Sequence, residues 1–95
     1  MEPLNEADVQ RELAETPGWE RAGDAIVRTV KLKDFKEAME FVNRVAEVAE
    51  EANHHPDITI QWNTVTLTQS THVAGGLTEH DFRLARHLNE LLTGG

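Results

Sequence analysis

The sequence predicts an α+β fold in which three helices pack on one face of a four-stranded antiparallel sheet. Two segments have the pattern of β-hairpins, with two strand-like runs around a short turn. Three segments have the capping residues or the apolar spacing of amphipathic helices. These elements follow one another along the 95 residues as helix, hairpin, helix, hairpin, helix. Hairpins favour antiparallel sheets that amphipathic helices then cover, and a chain of this length is expected to form a single domain, residues 1–95.

The first helix and the first hairpin are predicted from the residues at their ends. Asn5 is a favourable N-cap, and Asp8 lies three residues later, as the acidic member of a capping box does. Pro17-Gly18 ends this helical segment. The stretch GWERAGDAIVRTVKL then reads as a hairpin that turns at residues 22–24. One face of its second strand is apolar apart from a single arginine and consists of Ile26, Arg28, Val30 and Leu32.

The second helix is the clearest element and is predicted from Asp34, its N-cap, to about Asn53. Pro56 ends it, because a proline disfavours helical backbone in the residue before it. His54 is therefore expected at the helix C-terminus, and His55 is expected in extended chain. The residues with the spacing of an apolar helix face are Phe35, Ala38, Met39, Val42, Val45, Ala46, Ala49 and Ala52.

The second hairpin is predicted from the stretches DITIQW and TVTLTQST, which alternate apolar and polar residues as half-buried strands do. Asn63-Thr64 is the predicted turn. This turn pairs Trp62 with Val65, and the same count carried outward pairs His55 with His72. Trp62 is then the last residue of its strand to face inward, which is a common core position.

The last helix is predicted over LTEHDFRLARHLNELL. Thr78 caps it, and Asp81 completes a capping box. His80 and His87, seven residues apart on this helix, are expected to be solvated surface residues.

Three of the five histidines are predicted to meet at the open end of the second hairpin. These are His54, His55 and His72. Glu50 lies four residues before His54 on the same helix, which is the spacing at which side chains meet on a helical face. A carboxylate at that position can orient the His54 ring.

Three kinds of site fit these histidines from spacing alone. They can be acid–base catalysts, because imidazole changes its charge near neutral pH. They can be zinc ligands, as three histidines and a water are in some catalytic sites, although His54 and His55 point to opposite sides of an extended chain and the HExxH spacing is missing. They can also be ordinary surface or capping histidines.

The composition narrows the class of protein. The chain has 17 acidic and 9 basic residues, a formal net charge of −8, which disfavours nucleic acid and anionic membranes as partners. It has no cysteine, which excludes disulfides, thiolate catalysis and cysteine zinc sites. The start MEPLNEADVQ has neither the basic nor the apolar run of a signal peptide, and no stretch has the length of a membrane span. A cytoplasmic protein is expected.

The stretch EEANHHPDITIQWNTVTLTQSTHVAGGLTEHD combines these residues at fixed spacing. It resembles the signature of the pterin-4a-carbinolamine dehydratases. That signature has an acidic residue, three residues, His-His-Pro, an aromatic residue, nine residues, a histidine and, after a variable gap, an aspartate. Its fixed positions are filled here by Glu50, His54, His55, Pro56, Trp62, His72 and Asp81.

The resemblance implies an enzyme that dehydrates a 4a-hydroxytetrahydropterin to a quinonoid dihydropterin and water, which regenerates the pterin cofactor of aromatic amino acid hydroxylases. The departing hydroxyl gains from protonation, and a ring nitrogen must lose a proton. Histidines in mixed protonation states can supply both steps without a metal. No cofactor is expected, because the pterin is the substrate.

The resemblance also assigns roles. His54 and His72 would carry acid–base catalysis, with Glu50 orienting His54, and His55 would bind and polarise the pterin. The expected catalytic residues are therefore His54, His55, His72 and Glu50, and no metal ligand is expected.

Two further residues are expected to bind the substrate, and each has a structural alternative. Trp62 would line the pocket, although a core position fits it as well. Asp81 would contact the pterin, although the capping box accounts for an aspartate at this position and is the favoured interpretation.

The expected partners are a small pterin and further copies of the chain, because the family forms homodimers and homotetramers through sheet edges and helices. Two other functions stay open at this point. One is a protein-interaction module, since some animal members of the family bind the dimerisation helix of a transcription factor. The other is a zinc hydrolase with histidine ligands.

Overall fold

The computed structural model describes residues 2–93, apart from the side chains of His72 and Thr93. Its elements follow the predicted order. The helices are α1 (Glu6–Ala14), α2 (Phe35–Ala52) and α3 (Glu79–Thr93), the strands are β1 (Glu20–Ala22), β2 (Ala25–Lys31), β3 (Asp57–Gln61) and β4 (Thr64–Gln69), and a 3₁₀ turn spans His72–Ala74. None of the helices in residues 2–93 is long and apolar enough to cross a membrane.

The four strands form one antiparallel sheet in the order β1-β2-β4-β3. The two hairpins therefore join through β2 and β4, with Ile26 opposite Gln69 and Lys31 opposite Thr64. β1 and β3 are left at the edges. The predicted α+β class is confirmed.

The inner sheet face and the helices share one apolar core. Along β4 the residues alternate, with Val65 and Leu67 buried and the threonines between them half-buried. Phe41 of α2 is fully buried, whereas Phe35, predicted on the apolar face, is exposed. Phe41 thus takes the inward position, and the buried residues of α2 are Ala38, Phe41, Val45 and Ala49.

Side-chain caps set the ends of the first two helices as predicted. The Asn5 side chain accepts a hydrogen bond from the backbone N–H of Asp8 at 2.8 Å, and Asp34 accepts one from that of Glu37 at 2.8 Å. α2 ends at Asn53, whose φ of 52° is a left-handed conformation that asparagine tolerates. The chain therefore leaves α2 sharply just before the paired histidines.

The second hairpin turns one residue earlier than predicted. Gln61 pairs with Thr64, so the turn consists of Trp62 and Asn63 rather than Asn63-Thr64. Asn63 is held by the end of the first hairpin, because Leu32 N donates to Asn63 O at 2.8 Å and Asn63 Nδ2 donates to Leu32 O at 3.0 Å. Trp62 takes the positive φ of 52° that the turn requires.

The shifted turn corrects two predictions. The count that pairs Gln61 with Thr64 places His55 opposite Ser70, so the predicted pairing of His55 with His72 is wrong. Trp62 is 67% exposed at the turn, so its predicted core position is also wrong.

Gln69 lies on the inner face of β4, is 1% exposed, and neither Nε2 nor Oε1 of its side chain has a hydrogen-bond partner among the described residues. Burying a polar group without a partner costs about 1–3 kcal/mol. Gln69→Leu is therefore expected to raise the free energy of unfolding by about 1–2 kcal/mol, and Tm by about 4–8 °C per kcal/mol. Urea and thermal unfolding measure both quantities.

The matched control is Gln61→Leu, an exposed glutamine at the end of β3, which is expected to change stability by less than about 0.5 kcal/mol. A Gln69→Leu protein that is no more stable than the wild type would contradict the prediction.

Candidate active site

The paired histidines lie in the extended link between α2 and β3. His54 N donates to Ala49 O at 3.1 Å, which ties the link back to the last turn of α2. The His54 side chain is largely buried, whereas the His55 side chain is exposed. The two rings therefore point in different directions, as expected for neighbours in extended chain.

A buried carboxylate holds the His54 ring. Asp81 is fully buried, and its Oδ1 lies 2.6 Å from His54 Nε2. Its Oδ2 accepts hydrogen bonds from Thr71 Oγ1 at 2.8 Å and from the backbone N–H of Thr78 at 2.9 Å. The two threonine hydroxyls lie 2.9 Å apart. Asp81 thus joins the end of the second hairpin, the start of α3 and the histidine link.

This network assigns the tautomer of His54. An ionised carboxylate only accepts hydrogen bonds, so Nε2 must carry a hydrogen. In the neutral ring the lone pair then lies on Nδ1, for which no hydrogen bond to a described residue is present. Nδ1 is therefore the atom that can take up a proton, and the same atom donates when the ring is charged.

Asp81 has a second role that the sequence indicated. Its bond to the Thr78 backbone N–H is the acidic half of the predicted capping box at the start of α3. In a complete capping box the Thr78 hydroxyl would accept a bond from the Asp81 backbone N–H. Here that hydroxyl bonds the Thr71 hydroxyl instead. Because Asp81 has no exposed surface, its predicted contact with a substrate stays a prediction.

Glu50 pairs with His55 and not, as predicted, with His54. Glu50 Oε2 and His55 Nε2 form a hydrogen-bonded pair, and both side chains are exposed. The helix spacing that favoured His54 does not apply past Asn53, where the chain has already left α2. An exposed pair of this kind contributes little energy, so Glu50 restricts the orientation of the His55 ring only weakly.

His72 begins the 3₁₀ turn directly after Thr71. Its backbone is therefore adjacent to a residue that bonds Asp81, on the same network as His54. Thr71, one residue before His72, is thus linked to His54 through Asp81. The side chain of His72, on which its predicted catalytic role depends, lies outside the described part of the chain.

Trp62 is not part of this arrangement. It lies at the turn end of the second hairpin, whereas His54 and Thr71 lie beyond its open end. Its place in this chain therefore gives no support to the predicted pocket-lining role.

His80 is a residue that the sequence interpretation missed. It is half-buried, and its ring lies against that of His54, with centroids 6.1 Å apart and planes at 30°. The prediction of a solvated His80 is therefore wrong, while His87 is exposed as predicted. The available signal was that His80 precedes the aspartate of the capping box and so starts α3 beside the network.

Thr71 and His54, two residues of the Asp81 network, each line a cavity. Thr71 lines one of about 360 Å³, a size within the range of small-molecule sites, and His54 lines one of about 200 Å³. Among residues 2–93, no three histidine, aspartate or glutamate side chains with described positions are grouped so that they could hold a metal ion. The larger cavity is lined by Asp24, Ala25, Ser70, Thr71, Gly75 and Gly76, and the smaller by Ala52, His54, His80, Arg83, Leu84 and His87.

The chain is similar to known proteins whose names include pterin dehydratase. A protein of Thermomicrobium roseum, provisionally named a pterin-4-alpha-carbinolamine dehydratase, is 62% identical over 91 residues, which cover 96% of this chain and 98% of that protein. A crystal structure of a transcriptional coactivator/pterin dehydratase from Brucella melitensis has a TM-score of 0.89 and 35% identity, and covers 94% of this chain and 97% of that one.

A more distant structure shows the fold alone. It is a pterin dehydratase-like protein identified as a RuBisCO assembly factor in the alpha-carboxysome, with a TM-score of 0.63, 18% identity, and coverage of 77% of this chain and 84% of that one. The family model described as pterin 4 alpha carbinolamine dehydratase matches residues 2–91. This chain belongs to that family.

Proposed function

We propose that the protein dehydrates a 4a-hydroxytetrahydropterin to a quinonoid dihydropterin and water by histidine acid–base catalysis. The observation that carries the proposal is the buried Asp81 carboxylate, which fixes His54 in one tautomer and leaves Nδ1 without a bond to any described residue. A carboxylate that orients a histidine in this way recurs where the histidine must move a proton in a defined direction.

The reaction needs one proton delivered and one removed. The hydroxyl group on carbon 4a accepts a proton and leaves as water, which breaks the C–O bond. The neighbouring ring nitrogen supplies the electrons for the new C=N bond and loses its proton. One histidine acts as the acid and another as the base, so the protein regains its starting protonation by exchanging a single proton between them or with water.

The described residues suit these roles unequally. His54 Nδ1 is the best oriented proton acceptor, because Asp81 bonds Nε2 of the same ring. His55, exposed and paired with Glu50, is proposed to bind and polarise the pterin. His72 is proposed as the second acid–base residue, which rests on the family resemblance and on its backbone position next to Thr71. Assembly into a homodimer or homotetramer and a cytoplasmic location complete the proposal.

The test is the rate of quinonoid dihydropterin formation from 4a-hydroxytetrahydropterin, with and without the protein, at neutral pH and with a chelator present. Acceleration under these conditions supports the proposal. Acceleration that the chelator abolishes would indicate a metal-dependent catalyst instead. Pterin binding without acceleration would indicate an interaction module, and no binding would contradict the proposal altogether.

Glu50→Gln is expected to lower kcat/KM only about 2- to 5-fold, because an exposed pair contributes about 1 kcal/mol or less and His55 keeps its ring. Steady-state kinetics measure the change, and Glu47→Gln, an exposed glutamate one turn earlier on α2, is the control. A loss as large as about 10²-fold would mean that Glu50 itself transfers a proton.

A further inference from the structure

The cavity of about 200 Å³ between the end of α2 and α3 is lined mainly by nitrogen-bearing side chains. Of the six described residues that line it, four carry imidazole or guanidinium groups and none carries a carboxylate. The chain as a whole has a net charge of −8, whereas the described lining of this cavity carries one permanent cation, Arg83. The four residues are His54, His80, Arg83 and His87.

Helix geometry brings three of these residues together. His80, Arg83 and His87 lie three and four residues apart on α3, which places them on one face of the helix. His54 enters from the other side of the cavity, with its ring 6.1 Å from that of His80. Two separate segments of the chain therefore line one space with nitrogen-bearing side chains. The remaining nitrogen of His54, Nδ1, donates there only when the ring is protonated.

Arg83 is available to a ligand. Its Nη2 lies 3.8 Å from Glu79 Oε2, which is longer than a hydrogen bond, and both side chains are exposed. Within residues 2–93 the guanidinium group makes no hydrogen bond to another described residue. Exposed pairs one turn apart contribute little, so Glu79 competes weakly for Arg83.

The lining selects the chemistry of the ligand. These histidines are not grouped closely enough to hold one metal ion, as no such group occurs among the side chains described. Guanidinium and imidazole groups are the donors that bind phosphate and carboxylate oxygens. A neighbouring cavity that also borders His80 and Arg83 is lined in addition by Glu2 and Glu79, and so lacks this selectivity.

We propose that the cavity lined by His54, His80, Arg83 and His87 is a binding site for a compact oxyanion, a phosphate or carboxylate group. The group has two possible sources, which are free inorganic phosphate and a charged substituent on a pterin substrate. The second source rests on the proposed dehydratase function, whereas the site itself does not.

Inorganic phosphate is the first probe. It is titrated into isotope-labelled protein at constant pH and ionic strength, and the ring signals of the histidines are followed by NMR. The signals of His54, His80 and His87 are expected to shift saturably, while that of His55, which faces away and pairs with Glu50, is expected to stay in place.

Arg83→Gln is expected to weaken phosphate binding about tenfold, the loss expected for one charge-assisted hydrogen bond. Arg11→Gln is the matched control, because Arg11 is 63% exposed against 62% for Arg83 and also pairs with an acidic residue on its own helix. The absence of saturable shifts, or equal losses in the two variants, would overturn the proposal. The titration needs no turnover, so an inactive protein would leave this test intact.

A kinetic comparison then identifies the source. Two 4a-hydroxytetrahydropterins are compared, one with a neutral side chain and one with a phosphate group on that side chain. A lower KM for the second, lost in Arg83→Gln and kept in Arg11→Gln, assigns the site to the substrate. Equal KM values together with saturable phosphate shifts assign it to the free anion.

Discussion

Replacing His54 by alanine is expected to lower kcat for pterin dehydration by about 10²–10⁴-fold, the range for loss of a general acid or base. Among the described histidines, only His54 has one ring nitrogen bonded to a buried carboxylate, which orients the other nitrogen. Single-turnover measurements of quinonoid dihydropterin formation would separate this loss from slower product release. By resemblance, His72→Ala is expected to lose activity to a similar extent.

A second variant separates proton transfer from folding. In His54→Gln the side-chain amide can still donate to Asp81, so the buried carboxylate keeps a partner, but the amide cannot take up a proton. We expect His54→Gln to unfold near the wild-type urea concentration and to be as inactive as His54→Ala. A rate within a few fold of wild type in either variant would contradict the assignment of His54 as an acid–base residue.

Asp81→Asn is expected to lower kcat by about 10²-fold or more, because the asparagine amide can donate to His54 Nε2 and so favour the tautomer with the hydrogen on Nδ1. The base would then face away from the substrate while the ring stayed in place. The pH dependence of kcat is the informative measurement, since a change of tautomer alters the profile and a loss of packing alone does not.

Asp81→Ala should add a folding defect. It leaves His54, the Thr71 hydroxyl and the Thr78 N–H without their partner in a buried setting, at a cost of about 2–4 kcal/mol. Urea unfolding measures this cost. Asp57→Asn, an exposed aspartate on β3, is the control for both properties. An Asp81→Asn enzyme with wild-type kcat would show that the carboxylate serves only as a helix cap.

Local sequence signals were sufficient for most of the fold. The N-caps Asn5 and Asp34 and the helix stop before Pro56 act within a few residues, so the chain carries them in readable form. Trp62-Asn63 could not be recognised as a turn, because Asn63 is held by Leu32, 31 residues away in the chain. Tertiary hydrogen bonds of this kind decide register and leave no local pattern.

The sequence predicted where in the fold the site lies, but not which side chains contact each other there. Spacing placed His54 near the hairpin end, but its partner Asp81 lies 27 residues on and was interpreted chiefly as a cap. Glu50 was assigned to His54 because helix spacing was extended beyond the end of the helix. His80 was missed because its packing depends on how α3 docks against the histidine link.

The shared use of Asp81 would link the proposed catalysis to local unfolding. One carboxylate holds both the first turn of α3, through the Thr78 N–H, and the His54 ring. Whenever that turn frays, the orienting contact is lost at the same time, so the fraction of competent molecules follows a local opening equilibrium rather than global stability. Hydrogen exchange at the Thr78 amide would therefore measure the fraction of molecules in which His54 is held by Asp81, before any pterin is added.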